Sequence, residues 1–189
     1  MLQLREATRL AHARIEGSLP LLDPKLTRAR YVSVVEALFG FYVGLEPRVV
    51  ISAGPHAAYI ELGRRAKTPL LLLDLHALGK TSVETAAIPH CPDLPFPVTP
   101  SHALGVLYVL EGATLGGQVI RRSLRNALEL GVDNGAAFFA GYGDETKAMW
   151  LRFSEHVDRS RALDSEAMIA SAIDTFEKLR CWLADSSKP

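Results

Sequence analysis

The chain has 189 residues, with 21 Lys+Arg against 21 Asp+Glu, and 48% of its residues are hydrophobic. That length suits one domain with a large core, and that apolar share excludes an intrinsically disordered chain. Balanced charge argues against nucleic acid as the main partner, because such proteins carry a basic excess, yet it leaves room for a local basic patch around an acidic ligand. Cys91 and Cys181 cannot supply the disulfide framework of a small secreted protein and lack a metal-ligand spacing. The opening MLQLREATRLAHARIE has charge every few residues and no apolar signal core, and no run reaches the uninterrupted apolar length of a membrane span. These features point to a cytoplasmic protein with no membrane partner.

Taken in chain order, the spacing of apolar residues predicts helices. Leu4, Thr8, Ala11 or His12, Ile15 and Leu19 recur at helical intervals, which predicts an amphipathic helix from about Gln3 to Ser18, stopped by Gly17 and Pro20. A second helix follows the capping residue Thr27 and runs through YVSVVEALFGFYVGLEPRVV, with a bend expected near Gly44 and Pro47. A third is expected over His56 to Lys67. Thr68-Pro69 reads as a cap with proline at the first helical position, opening a short helix that ends at Gly79. Between Thr81 and Pro97, IPHCPDLPFP cannot be helix interior, so this stretch reads as a long connection. Thr99-Pro100 then starts a long helix through SHALGVLYVLEGATLGGQVIRRSLRNALEL. GVDNG is a loop, and Glu145 to Arg161 and Ser165 to Asp185 complete the set. With no strand alternation, repeat or linker, the expectation is an all-α single domain over residues 1–189, its last few residues disordered.

Two segments carry chemistry. In LREATRLAHARIE, His12 falls on the apolar face of the first helix. A neutral inward imidazole can ligate iron, or it can be a hydrogen-bonded core residue. Glu16, one turn later, can take the ring's other N–H. Arg5 and Arg9, within two turns before His12, can face a ligand's carboxylates or simply form a solvated face. In LYVLEGATLGGQVI, Gly112, Gly116 and Gly117 lie inside a helix, where each costs about 1 kcal/mol relative to alanine. Gly112 and Gly116 strip one face of side chains. That permits a kink and close approach to a flat ligand, or close packing of helices.

Together with FFAGYGDETKAMW and AIDTFEKLRCWL, in this order and separation, these blocks resemble haem oxygenases. The likeness is greatest to the short bacterial biliverdin-producing members, including those associated with bacterial phytochromes. The resemblance implies an all-helical fold with haem sandwiched between a proximal first helix and a glycine-kinked distal helix. It makes His12 the iron ligand and Glu16 the acceptor of its second N–H. It sets Arg5 and Arg9 near the propionates, with Thr8 among the contacts of the same helix. It puts the catalytic distal backbone at Gly112 and Gly116. Arg152 becomes a further propionate contact and Phe176 a residue of the pocket wall or plain core.

One position departs from the pattern. Mammalian-type members carry an aspartate directly after the first distal glycine, where this chain has Ala113. Glu111 is adjacent but points elsewhere on a helix, so waters held by backbone groups, Thr114 or Gln118 are the expected substitutes. The implied reaction converts haem to biliverdin, carbon monoxide and ferrous iron. Its electrons come from a separate ferredoxin, flavodoxin or reductase, since no GxGxxG unit is present, and a phytochrome is a possible acceptor of the product. A non-catalytic haem carrier or sensor needs the same cleft and ligand. A thiamin-type hydrolase on a related helical fold wants an activated cysteine, and a purely structural bundle leaves the glycines unexplained. His56, His76, His90, His102 and His156 are expected at the surface or in caps, the Cys91-Pro92 pair carries no haem role, and Glu36, Tyr31 and Tyr42 are expected to pack or lie at the surface.

Overall fold

The computed structural model describes residues 1–160 and 162–186, and among them there is no strand. Arg161, expected to end one helix, and the tail expected to be disordered lie outside the described residues.

α1 (Leu2–Ser18) buries Leu4, Thr8, Ala11 and Ile15, one stripe of an amphipathic helix. α2 (Arg28–Ser52) begins where the Thr27 hydroxyl accepts the Arg30 amide, and it runs through Pro47 without a break. The third expected helix is only one turn, α3 (His56–Tyr59), followed by a 3-10 turn at Leu62–Arg64. Glu61 between them has a φ of 53°, a left-handed conformation that ends the helix. Past that break Arg65 and Lys67 turn inward and are buried, as they could not be on a solvent-facing helix.

α4 (Thr68–Ala77) starts as expected, but Thr68 is not its cap. The Glu46 carboxylate of α2 accepts the amides of Lys67 at 2.5 Å and Thr68 at 3.3 Å, and the Thr68 hydroxyl at 2.7 Å. An anion is favourable at that end of a helix. The connection from Thr81 to Pro97 also holds a short helix, α5 (Ser82–Ala86), nucleated by a Thr81–Glu84 capping box. α6 (Pro100–Leu128) passes through its glycines unbroken. α7 (Ala137–Ala140) is one turn whose first amides, Ala137 and Phe138, bond to the Asp74 carboxylate at 2.7 and 2.8 Å. α8 (Thr146–Arg159) and α9 (Ser165–Asp185) follow, α9 capped by Asp164.

α6 has the length and average composition of a membrane-crossing helix, but Glu111 interrupts its apolar run and 61% of that stretch is buried inside the fold, as befits its central core helix. Both α6 and α1 pack chiefly on α9. They run along it in the same direction. On one flank Ser101 accepts the Asp164 amide at 2.9 Å, and Ser171 donates to the His102 carbonyl at 2.9 Å. On the other flank Leu4 shares a hollow with Met168, and further along Arg14 pairs with Glu177 at 3.1 Å. α9 thus acts as a spine that sets the two helices side by side.

Candidate functional site between α1 and α6

The two helices are linked at one level. Thr8 is buried, and its hydroxyl donates to the Leu4 carbonyl at 2.8 Å and lies 3.2 Å from the Tyr108 hydroxyl, which can donate to it. Thr8 is therefore a strut between helices rather than a residue presented to a ligand. Four residues further along each helix, one turn or about 5.4 Å, α1 carries His12 and α6 carries Gly112, and a turn beyond that they carry Glu16 and Gly116.

His12 does not point into the core as expected. Ala11 occupies the core position, and His12, one step round the helix, lies beside the buried stripe with its side chain 49% exposed. Its ring stands edge-on to Phe176, with centroids 5.6 Å apart, so Phe176 is at once core and a wall beside the imidazole. The Nδ1 atom lies 3.4 Å from the Glu16 carboxylate. On this solvated flank the pair adds little stability. It places a carboxylate beside Nδ1 rather than Nε2.

Across from it, a Cβ added at Gly112 or Gly116 would meet nothing within 4 Å. The helix-packing explanation thus fails for these two glycines. It holds for Gly117, whose Cβ would come within 2.6 Å of the Phe139 carbonyl. Leu115 and Val119 flank the bare turn at 41% and 61% exposure. Hollows of the surface lie beside Arg14 and Arg180 and beside Met1 and Leu4.

A Heme oxygenase family model matches residues 1–185. This chain belongs to the heme oxygenase family. It is 35% identical over 130 residues to a heme oxygenase of Xanthomonas campestris pv. campestris, covering 66% of this chain and 72% of that protein. Its fold matches heme oxygenase from Leptospira interrogans with a TM-score of 0.79 at 19% identity, over 96% of this chain and 97% of that one. Heme oxygenase-1 from the cyanobacterium Synechocystis, solved in complex with heme, matches with a TM-score of 0.78 at 18% identity, over 97% and 90% of the two chains.

Other expected site residues fall in varied places on this chain. Arg5 and Arg9 are exposed on α1, and Arg9 lies 3.5 Å from Glu6. Arg152, expected as a further propionate contact, lies on α8. It pairs with Glu61 at 3.1 Å, and it leaves α8 on the side opposite Trp150, whose ring meets Tyr108. Ala113 is exposed, as its small side chain allows. Thr114 cannot hold water on the open side, because it is buried and donates to the Glu111 carbonyl at 2.6 Å. Gln118, seven residues after Glu111, shares its inner side of the helix. The remaining histidines are in polar contacts or at the surface: His56 bonds His156 at 2.8 Å, His102 bonds Thr99 at 2.7 Å, and His76 and His90 are exposed. Tyr31 and Tyr42 are buried, Glu36 pairs with Lys80 at 2.6 Å, and Cys91 packs in the core.

The sequence reading missed what lies behind the glycines. Arg65, Lys67 and Glu111 are 3%, 1% and 1% exposed. The Glu111 carboxylate pairs with Arg65, lies 3.2 Å from the Lys67 ammonium and accepts the Tyr142 hydroxyl at 2.7 Å. Arg65 also donates to the carbonyls of Ile60 at 2.5 Å and Met149 at 3.1 Å. Burial pushes the Lys67 pKa down against the opposing pull of Glu111. Burial pushes Tyr142 up, and the Glu111 charge adds to it. A charged residue inside LYVLEGATL was the available signal, since a carboxylate on a core helix demands buried cations.

Proposed function

We propose that this chain binds haem between α1 and α6 and opens its ring oxidatively to biliverdin, carbon monoxide and ferrous iron. The supporting observation is that His12, with Glu16 beside its Nδ1, follows Thr8 by one turn on α1, while the bare Gly112 follows Thr8's partner Tyr108 by one turn on α6. A flat ligand needs a donor on one side and bare backbone on the other, so the residues present fit haem.

In this reading His12 Nε2 would ligate the iron, with Glu16 accepting the Nδ1–H to keep the imidazole oriented. Gly112 and Gly116 would leave space for the haem face and offer backbone groups to it. Leu115 and Val119 would be covered by the porphyrin edge, which accounts for apolar residues left exposed on this face. Arg5 and Arg9 complement the propionates. Bound haem supplies the oxygen chemistry, and electrons arrive from a separate ferredoxin, flavodoxin or reductase. A cytoplasmic setting and delivery of biliverdin to a phytochrome belong to the same proposal.

Ala113 favours one second reading, a haem carrier or sensor without ring opening, because this face has no carboxylate to organise proton delivery. Haem loaded anaerobically and then given ascorbate or a ferredoxin system in air separates the two. Loss of the Soret band with growth of biliverdin absorption is the expected result. A Soret band that persists through many equivalents of reductant identifies the carrier.

A further inference from the structure

The inner side of α6 plays no part in that proposal, yet it holds the most concentrated buried charge in the described residues. We infer that Glu111 is a positioning residue for the site. Its cluster with Arg65, Lys67 and Tyr142 clamps α6 from behind and sets the height and rotation of the bare Gly112–Gly116 turn opposite His12. This inference rests on the haem-binding reading above.

The physical need comes from the glycines. Two positions without side chains and with open space before them give the turn nothing to lean on from outside. Its geometry must be imposed from within. Contacts that tie these two turns to other segments lie on that side: the Glu111 carboxylate on Arg65 and Lys67, and Gly117 against the Phe139 carbonyl. The clamp ties together separate segments. Arg65 and Lys67 come from the stretch after the Glu61 break, and Tyr142 from the loop before α8. Gly141, with a φ of 58°, lets that loop close on Thr114. Glu46 accepts the Lys67 backbone amide at 2.5 Å, and its charge also acts on the Lys67 ammonium. Buried ion pairs are often no more stabilising than packed apolar residues of the same size, and fixing register is their best-attested use.

The test uses tag-free protein with Glu111→Gln and Tyr142→Phe. Each variant is titrated with haemin, and its ferrous carbonyl adduct is examined by infrared spectroscopy, alongside the melting curve of the haem-free chain. Glu111→Gln is expected to bind haem about tenfold more weakly, the scale of a lost outer-shell contact. It should also shift the C–O stretch while retaining the imidazole signature. Tyr142→Phe keeps both ion pairs and should move both readouts the same way by less. A lower melting temperature with unchanged affinity and C–O stretch in both variants overturns the inference and leaves a merely structural cluster. Should Glu111→Gln fail to fold, Tyr142→Phe decides by the same criteria. A wild-type chain that takes up no haem overturns the underlying reading first, in a measurement that precedes any variant.

Discussion

Two faces of the same two turns of α6 differ as sharply as any regions of the molecule. Outward, Gly112 and Gly116 touch nothing and their neighbours are Ala113, Leu115 and Val119. Inward, Glu111, Thr114 and Gly117 have every polar or backbone contact occupied. The difference teaches that this helix contributes shape rather than side-chain chemistry to its open side. In the proposed reading the donor atoms for the ligand come from α1, where His12, Glu16, Arg5 and Arg9 stand.

The largest expected effect breaks the inner face. Glu111→Leu leaves Arg65 and Lys67 buried without their carboxylate, and stability measured by urea unfolding should fall by about 3–5 kcal/mol. A loss under about 1 kcal/mol would show that the cluster does not hold that face.

Next comes a pH effect at the support behind it. Asp74 holds the first amides of α7 and so presents the Phe139 carbonyl to Gly117. Burial raises its pKa to about 6, against the opposing effect of those two amides. Because the folded-state pKa is raised, this contribution to stability is full below the ordinary aspartate value and is lost as pH rises through about 6. Wild-type stability relative to Asp74→Asn should therefore decline by about 2 kcal/mol from pH 4 to pH 7. A difference that is flat or rises with pH would contradict the burial argument.

A pair of alanines sharpens the comparison directly. Gly117→Ala meets the Phe139 carbonyl and should cost about 1–3 kcal/mol. Gly112→Ala meets open space and should gain about 0.5–1 kcal/mol of stability in thermal melts while weakening haem uptake. Equal behaviour of the two variants would erase the distinction between the faces.

Local regularity decided what was legible in the sequence. The bounds of α1, α6 and α9 follow from periodicity and from capping residues such as Thr99 and Asp164. The His12–Glu16 spacing and the glycine face were legible for the same reason, since both are contained within one helix. What was hidden depends on distant partners. Arg65 and Lys67 find Glu111 more than 40 residues away, and Glu46 displaces Thr68 as the cap of α4. Nothing local announced the left-handed Glu61 that breaks the third helix. The choice between Ala11 and His12 for the core is a rotation of one residue, which packing against α9 settles and periodicity does not.

The central claim is that His12 and the bare α6 turn grip haem from opposite sides. Haemin titration of tag-free wild type and His12→Ala tests it most directly. The account predicts a saturable, sharp Soret band at one haem per chain in the wild type and altered ligand-field bands in the variant. The haem-free melting curves should differ by less than about 0.5 kcal/mol in stability, because the ring is half exposed. Identical iron spectra in the two proteins would contradict it.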